Sequence, residues 1–167
     1  MDKFNIDEEV GHYFDDSSIT HGATPRIVIL MGGPCSGKTT FRKQQYSTGF
    51  VLVDAAEIFL SLSRGKFFPF PDALEGPMQM IGDLIARRAV SEKRHIVTEL
   101  IGADSNPMNA LISAMEAIGY RVEVQVLTCD MDEAVRRNLN RGADNVSCYY
   151  AEPYQRRWLY EAATGYS

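Results

Sequence analysis

The run GGPCSGKTT, residues 32–40, is the feature that most constrains what this chain can fold into. Gly32, four further residues and then Gly37-Lys38-Thr39 spell G-x-x-x-x-G-K-[ST]. The apolar run RIVILM precedes the loop, and KTTFRKQQY follows it with helical composition. A buried strand therefore feeds a glycine-rich turn that opens a helix. Glycines let successive backbone N–H groups face an anion with no Cβ in the way. The helix start adds its own unbonded N–H groups and the positive end of its dipole. In this pattern Lys38 reaches the β- and γ-phosphates of a nucleoside triphosphate, and Thr39 offers its hydroxyl to Mg²⁺. Gly32, Gly33, Pro34, Cys35, Ser36, Gly37, Lys38, Thr39 and Thr40 are accordingly the expected nucleotide contacts, with Thr39 as the metal residue.

The rest of the chain repeats the strand–helix alternation. FVLVD at 50–54 reads as a second short buried strand, and AAEIFLSLSRG as a helix stopping at Gly65. Met78, Ile81, Ile85 and Ala89 recur at helical spacing, which predicts a helix from about Pro77 to Lys93 with Pro77 in its first turn. HIVTEL is a third strand, NPMNALISAMEAIG a helix ending at Gly119, and YRVEVQVLT a fourth strand with one less buried face. DMDEAVRRNLNRG is a helix with Asp130 or Asp132 near its start. Alternating β and α elements imply a parallel sheet with helices on both faces. Ligands in such sheets gather at the carboxyl ends of the strands. That rule places the glycine loop, Asp54, Glu57, Glu99 and Asp104 at one rim. Residues 1–25 are polar and acidic and read as an N-terminal arm with a helical turn or two around Asp7 to Phe14; residues 26–167 form the domain proper.

Composition narrows the partners. A net charge of −5 gives no general attraction for a phosphate backbone, so nucleic acid is a poor default partner. The three cysteines, Cys35, Cys129 and Cys148, have no metal-knuckle spacing, which fits a reduced, cytoplasmic setting. No apolar run suits a leader or a membrane span. A guanine-specific N-K-x-D signal is missing from the sequence, and its 167 residues suit a small kinase better than a motor ATPase.

GGPCSGKTTF, VLVDAAEIF, HIVTEL and GYRVEVQVLTCDMDEAVRRNLNR together resemble, in that order, the zeta-toxin-like P-loop kinases. The resemblance covers roughly residues 26 to 141. It implies a P-loop NTPase three-layer α/β sandwich, with a parallel sheet of at least four strands and helices on both faces. It further implies ATP and Mg²⁺ as cofactors and a small-molecule acceptor such as a UDP-N-acetylamino sugar. If the protein is a toxin, an antitoxin-like inhibitor protein is implied as well. By position, Lys38 and Thr39 match the nucleotide and magnesium residues. Asp54 lies in the region that supplies the catalytic base. Glu99 matches an acid that holds acceptor or metal, and Arg137 and Arg141 resemble phosphate-clamping arginines.

Each of these residues also has a plainer reading. Asp54 can simply end a strand, and Glu99 can be a surface acid. Arg137 and Arg141, four apart on one helix face, can be solvated, with Glu133 pairing to Arg137. Asp104 can be an extra acceptor-side acid or, with Ser105, a helix cap. The sequence departs from the family's aspartate–small–aspartate motif at Asp54-Ala55-Ala56-Glu57, where Ala56 replaces the second aspartate. Asp54 or Glu57 must then accept the proton, or catalysis is weakened. After Glu99, LIGAD stands where a Gly-Thr pair is usual. Phe67, Phe68 and Phe70 in KFFPFP are core anchors or an acceptor wall, and Tyr150, Tyr154, Trp158 and Leu159 are a packed helix face or a shelf for a base.

Overall fold

The structure, a computed structural model, describes residues 5–17, 19–33, 35–62, 72–100 and 105–140. In chain order the elements are α1 (Ile6–His12), β1 (Arg26–Met31), α2 (Lys38–Gln45), β2 (Phe50–Val53), α3 (Ala55–Leu62), α4 (Asp72–Ser91), β3 (His95–Leu100), α5 (Ser105–Ala117), β4 (Arg121–Val126) and α6 (Met131–Leu139). The four strands form one sheet in the order β2-β3-β1-β4, and every neighbouring pair is parallel. β1 is central, with Leu30 opposite Glu99 of β3 and Gln125 of β4. β1 and β3 therefore end side by side, which sets the glycine loop next to Glu99.

β1 shows why a continuous apolar run was needed. Ile27 and Ile29 pack with Val51 and Ile96 against Ile58 and Phe59 of α3, Ile81 and Ile85 of α4, and Met108 and Met115 of α5. Val28 and Leu30 point the other way and pack with Val97 against Phe41 of α2, Tyr46 and Leu127. Both faces are covered, so the period-two alternation of side chains meets apolar neighbours on each side. The result is the three-layer sandwich expected from the sequence.

Two elements differ from the sequence reading. α4 begins at Asp72 and ends at Ser91, so Pro77 lies inside the helix and not in its first turn. Proline there removes one helical hydrogen bond. The stripe of Met78, Ile81, Ile85 and Ala89, all buried, outweighs that local loss. The arm has the helix expected around Asp7 to Phe14, as α1, and differs in being tied to the core. Val10 and Phe14 join the main core, and the Arg88 and Arg94 guanidiniums lie 4.1 and 5.9 Å from the Phe14 ring centroid. Arg94 donates to the Ser17 carbonyl at 2.7 Å, and Gly49 N–H to the Asp16 carbonyl at 2.8 Å. Asn5 caps α1 by accepting from Asp7 N–H. β4 is an edge strand among the described residues, with Val126 66% exposed, in keeping with the less buried face expected of it.

Candidate functional site

The glycine loop leaves β1 under tight constraint. A Cβ on Gly32 would sit 2.3 Å from the Leu127 carbonyl oxygen and 2.7 Å from Ser36 Oγ, so no side chain fits. Cys35 and Gly37 both have left-handed backbones, with φ of 56° and 97°. For Cys35, a residue with a Cβ, that conformation costs on the order of 1 kcal/mol or more. Lys38 folds back over the loop and donates to the Gly32 and Gly33 carbonyls at 2.7 and 2.8 Å. Ser36 Oγ is buried with no hydrogen-bond partner among the described residues. A loop glycine that admits no side chain, an orphaned buried hydroxyl and a lysine laid on the turn fit a phosphate chain.

Arg137 of α6 reaches this loop. Its guanidinium donates to the Cys35 carbonyl at 3.3 Å and to Glu133 at 2.7 Å. A Cβ on Gly37 would lie 3.9 Å from the same guanidinium. The Glu133 pairing expected of a solvated helix face is therefore present, and so is an approach to the phosphate loop. Asp130 caps α6 by accepting from Asp132 and Glu133 N–H, which fixes where the helix starts.

The acids of the other strand ends meet on the opposite side of the loop. Thr39 Oγ1 donates to Glu99 Oε2 at 2.9 Å, a hydroxyl and a carboxylate offered together as hard oxygen donors of the kind Mg²⁺ prefers. Arg42 donates to Glu99 Oε1 at 2.7 Å and to Glu57 Oε1 at 2.9 Å. Among the described residues no cluster of three or more His, Cys, Asp or Glu could hold a metal alone.

Asp54 follows β2 and caps α3: its Oδ1 accepts from Ala56 N–H at 2.7 Å and Glu57 N–H at 3.4 Å. It is buried, 7% exposed, and pairs with no cation among the described residues. Burial, then the negative charges of Glu99 and Glu57, push its pKa up to about 6 against the pull of the two backbone hydrogen bonds. The strand-end reading of Asp54 is thus correct as far as it goes, and the same residue is a carboxyl poised near neutrality. Ala56 is exposed on the first turn of α3.

Two residues here were not singled out from the sequence. Arg42 is one; its signal was its place three residues beyond Thr39 and four beyond Lys38, on the same helix face. Tyr13 is the other. Burial raises its phenol pKa, and the charges of Glu9, Glu57 and Asp54 raise it further, so the arm brings a hydroxyl near the Asp54 side of the site. Pro34, Asp104, Arg141, the KFFPFP segment and the Tyr150–Leu159 face lie outside the described residues.

No protein-family model matches the chain, and no curated protein matches it. Solved structures do match. A chain of the AvrRxo1-ORF1:-ORF2 structure with ATP superposes at a TM-score of 0.66 and 13% identity, covering 94% of this chain and 55% of that one. A chain of the Pnkp1/Rnl/Hen1 RNA repair complex gives 0.66 and 15%, covering 87% and 47%. A chain of the PezAT chromosomal toxin–antitoxin system of Streptococcus pneumoniae gives 0.54 and 15%, covering 80% and 61%. The chain shares the α/β fold of these structures, a parallel sheet with helices on both faces. It spans about half the length of these structures' chains. Within the fold, the glycine loop, Asp54 and Glu99 stand at the carboxyl ends of β1, β2 and β3. Among the described residues no helix is long and apolar enough to cross a membrane.

Proposed function

We infer that this chain is an ATP- and Mg²⁺-dependent kinase that phosphorylates a hydroxyl of a small acceptor, such as a nucleotide sugar. The observation that carries the reading is Asp54: a buried carboxyl beside the glycine loop, with its pKa raised to about 6 and no cation partner among the described residues. A general base works best with a pKa near the operating pH. Glu57, the other candidate, is tied to Arg42. Asp54 is therefore the proton acceptor and Glu57 is not.

In this reading Lys38, Ser36 and the loop N–H groups hold the phosphates of ATP, and Thr39 with Glu99 holds the metal. ATP supplies the γ-phosphoryl group, and Mg²⁺ supplies charge neutralisation. Asp54 takes the proton of the acceptor hydroxyl as the new O–P bond forms and ADP departs. Lys38 and Arg137, on either side of the loop, offset the charge on the moving phosphoryl group, the main task of a protein in such transfers. Arg141, by its resemblance, would add to that clamp, and Asp104 would face the acceptor. The AvrRxo1-ORF1 and PezAT structures each include a second protein. By analogy with these, an antitoxin-like inhibitor protein is the partner to look for if the chain is a toxin.

The test is transfer of label from γ-labelled ATP with Mg²⁺ to a pool of UDP-sugars and other small hydroxyl compounds, run beside a 5′-hydroxyl oligonucleotide. Label in the small-molecule fraction supports the reading. Label on the oligonucleotide replaces it with a polynucleotide kinase, the alternative raised by likeness to the RNA repair complex. No product in either, with ATP still bound, leaves a nucleotide-binding protein whose catalysis went with the aspartate missing at Ala56. Asp54→Asn should lower turnover by at least about 100-fold, the lower range for general base catalysis, with ATP affinity unchanged.

A further inference from the structure

α2 carries a cation where a helix packed against a sheet ordinarily carries an apolar side chain. Arg42 is the buried residue of that helix, 7% exposed. Its guanidinium spans two carboxylates from different elements, Glu99 of β3 and Glu57 of α3. Glu99 is itself nearly enclosed, its side chain 8% exposed, and its second oxygen accepts the Thr39 hydroxyl. The four side chains form one line: Glu57, Arg42, Glu99, Thr39.

An enclosed ion network of this kind gains little stability over a well-packed apolar replacement, because desolvation offsets most of the attraction. Its value has to be sought in what it positions. A threonine hydroxyl has one proton and two lone pairs. With its proton committed to Glu99, Thr39 has its lone pairs left for a cation. That commitment holds only while Glu99 stays in place. Arg42 holds it there: its guanidinium fixes Glu99 Oε1, the oxygen that Thr39 does not use. The same guanidinium draws Glu57 to Arg42, while Asp54 has no cation partner among the described residues.

We propose that Arg42 is a positioning residue that sets the metal side of the site by locking Glu99 against the Thr39 hydroxyl. The assignment rests on the nucleotide- and Mg²⁺-binding part of the reading above. It also makes a signed prediction. Removing Arg42 adds net negative charge next to the metal position. If the residue acted through charge alone, Mg²⁺ would bind more tightly without it. If it acts by position, Mg²⁺ binds more weakly.

The experiment is ATP binding by calorimetry across a Mg²⁺ titration, with metal-free ATP binding and thermal melting in EDTA as readouts independent of turnover. Arg42→Met should raise the Mg²⁺ concentration for half-maximal enhancement of ATP binding by about tenfold, the size expected when a partner that orients a metal-ligating group is lost. Metal-free ATP affinity should stay within about twofold. Glu99→Gln should show the same Mg²⁺ defect, and the double variant should be no worse than either single one, because both changes break one unit. Glu57→Gln should leave the Mg²⁺ requirement unchanged. Where the methionine variant does not fold, Arg42→Lys keeps the charge without the planar fork and should raise the requirement about threefold. A Mg²⁺ requirement that is unchanged or lowered in the Arg42 variant, or additive defects in the double variant, overturns the proposal and leaves the kinase reading standing. Wild-type ATP binding that is indifferent to Mg²⁺ overturns the metal-site reading itself, and the proposal with it.

Discussion

Replacing Asp54 by asparagine should make the protein more stable while stopping its chemistry. The Asp54 carboxyl has its pKa raised from 3.8 to about 6, chiefly by burial and then by the Glu99 and Glu57 charges. For an acid, a raised folded-state pKa means that the native state holds its proton to higher pH than the unfolded chain does. Stability from this group is therefore present below the unfolded value and is lost as pH rises from about 4 to about 6. A shift of about two units at 1.36 kcal/mol per unit sets the loss at about 3 kcal/mol at pH 7 and above. Asparagine carries no charge at any pH and caps a helix as well as aspartate. Its carbonyl oxygen can keep the bond from Ala56 N–H. The variant and the wild type should unfold alike near pH 4. At pH 8 the variant should be more stable by about 3 kcal/mol, or about 6 to 12 °C in Tm for a chain of this size. Thermal and urea unfolding at pH 4, 6 and 8, in EDTA and without nucleotide, measures the difference. Titrating groups that do not face Asp54 are shared by the two proteins and cancel. A difference that is flat across this range, or a variant less stable at pH 8, refutes the claim that Asp54 is a buried acid forced to ionise.

Three further outcomes follow from other parts of the molecule. Lys38→Ala removes a charge-assisted phosphate contact and should weaken ATP binding by about 1.5–3 kcal/mol, or roughly 10- to 100-fold, by calorimetry. Gly32→Ala places a Cβ 2.3 Å from the Leu127 carbonyl and should destabilise the fold by several kcal/mol in urea, with ATP binding lost. Phe14→Ala empties a buried site between Arg88 and Arg94 and should cost about 3–5 kcal/mol in urea unfolding. An arm that merely trails would show no change in that variant.

What could be read from the sequence is what neighbouring residues decide. The glycine loop is such a case: its turn, its N–H groups and its lysine are all set within the span from Gly32 to Thr39. β3 was legible for the same reason, since HIVTEL is a short apolar run bounded by polar residues, and the structure keeps those limits. An aspartate at the start of α6, Asp130 or Asp132, was legible from dipole and capping chemistry, and the structure selects Asp130. Pro77 misled, because a local rule about first turns yields to a buried stripe that wants a longer helix.

The acceptor side was legible only as a set of acids at strand ends. Which of them is neutralised depends on Arg42, and its partners lie 15 and 57 residues away on α3 and β3. Nothing in KTTFR says whether the arginine faces water or the sheet. The pKa of Asp54 likewise comes from burial under packed elements and from the charge of Glu99, and sequence spacing carries neither quantity. Phe14 and Tyr13 sit in an acidic segment that the sequence showed only as an arm with a helical turn or two. The sequence alone determined that this chain carries a glycine loop of phosphate-cradle pattern on a parallel sheet, because that pattern is local. The tertiary structure decided which buried carboxyl has no cation partner among the described residues, because charge and burial depend on what the fold brings together.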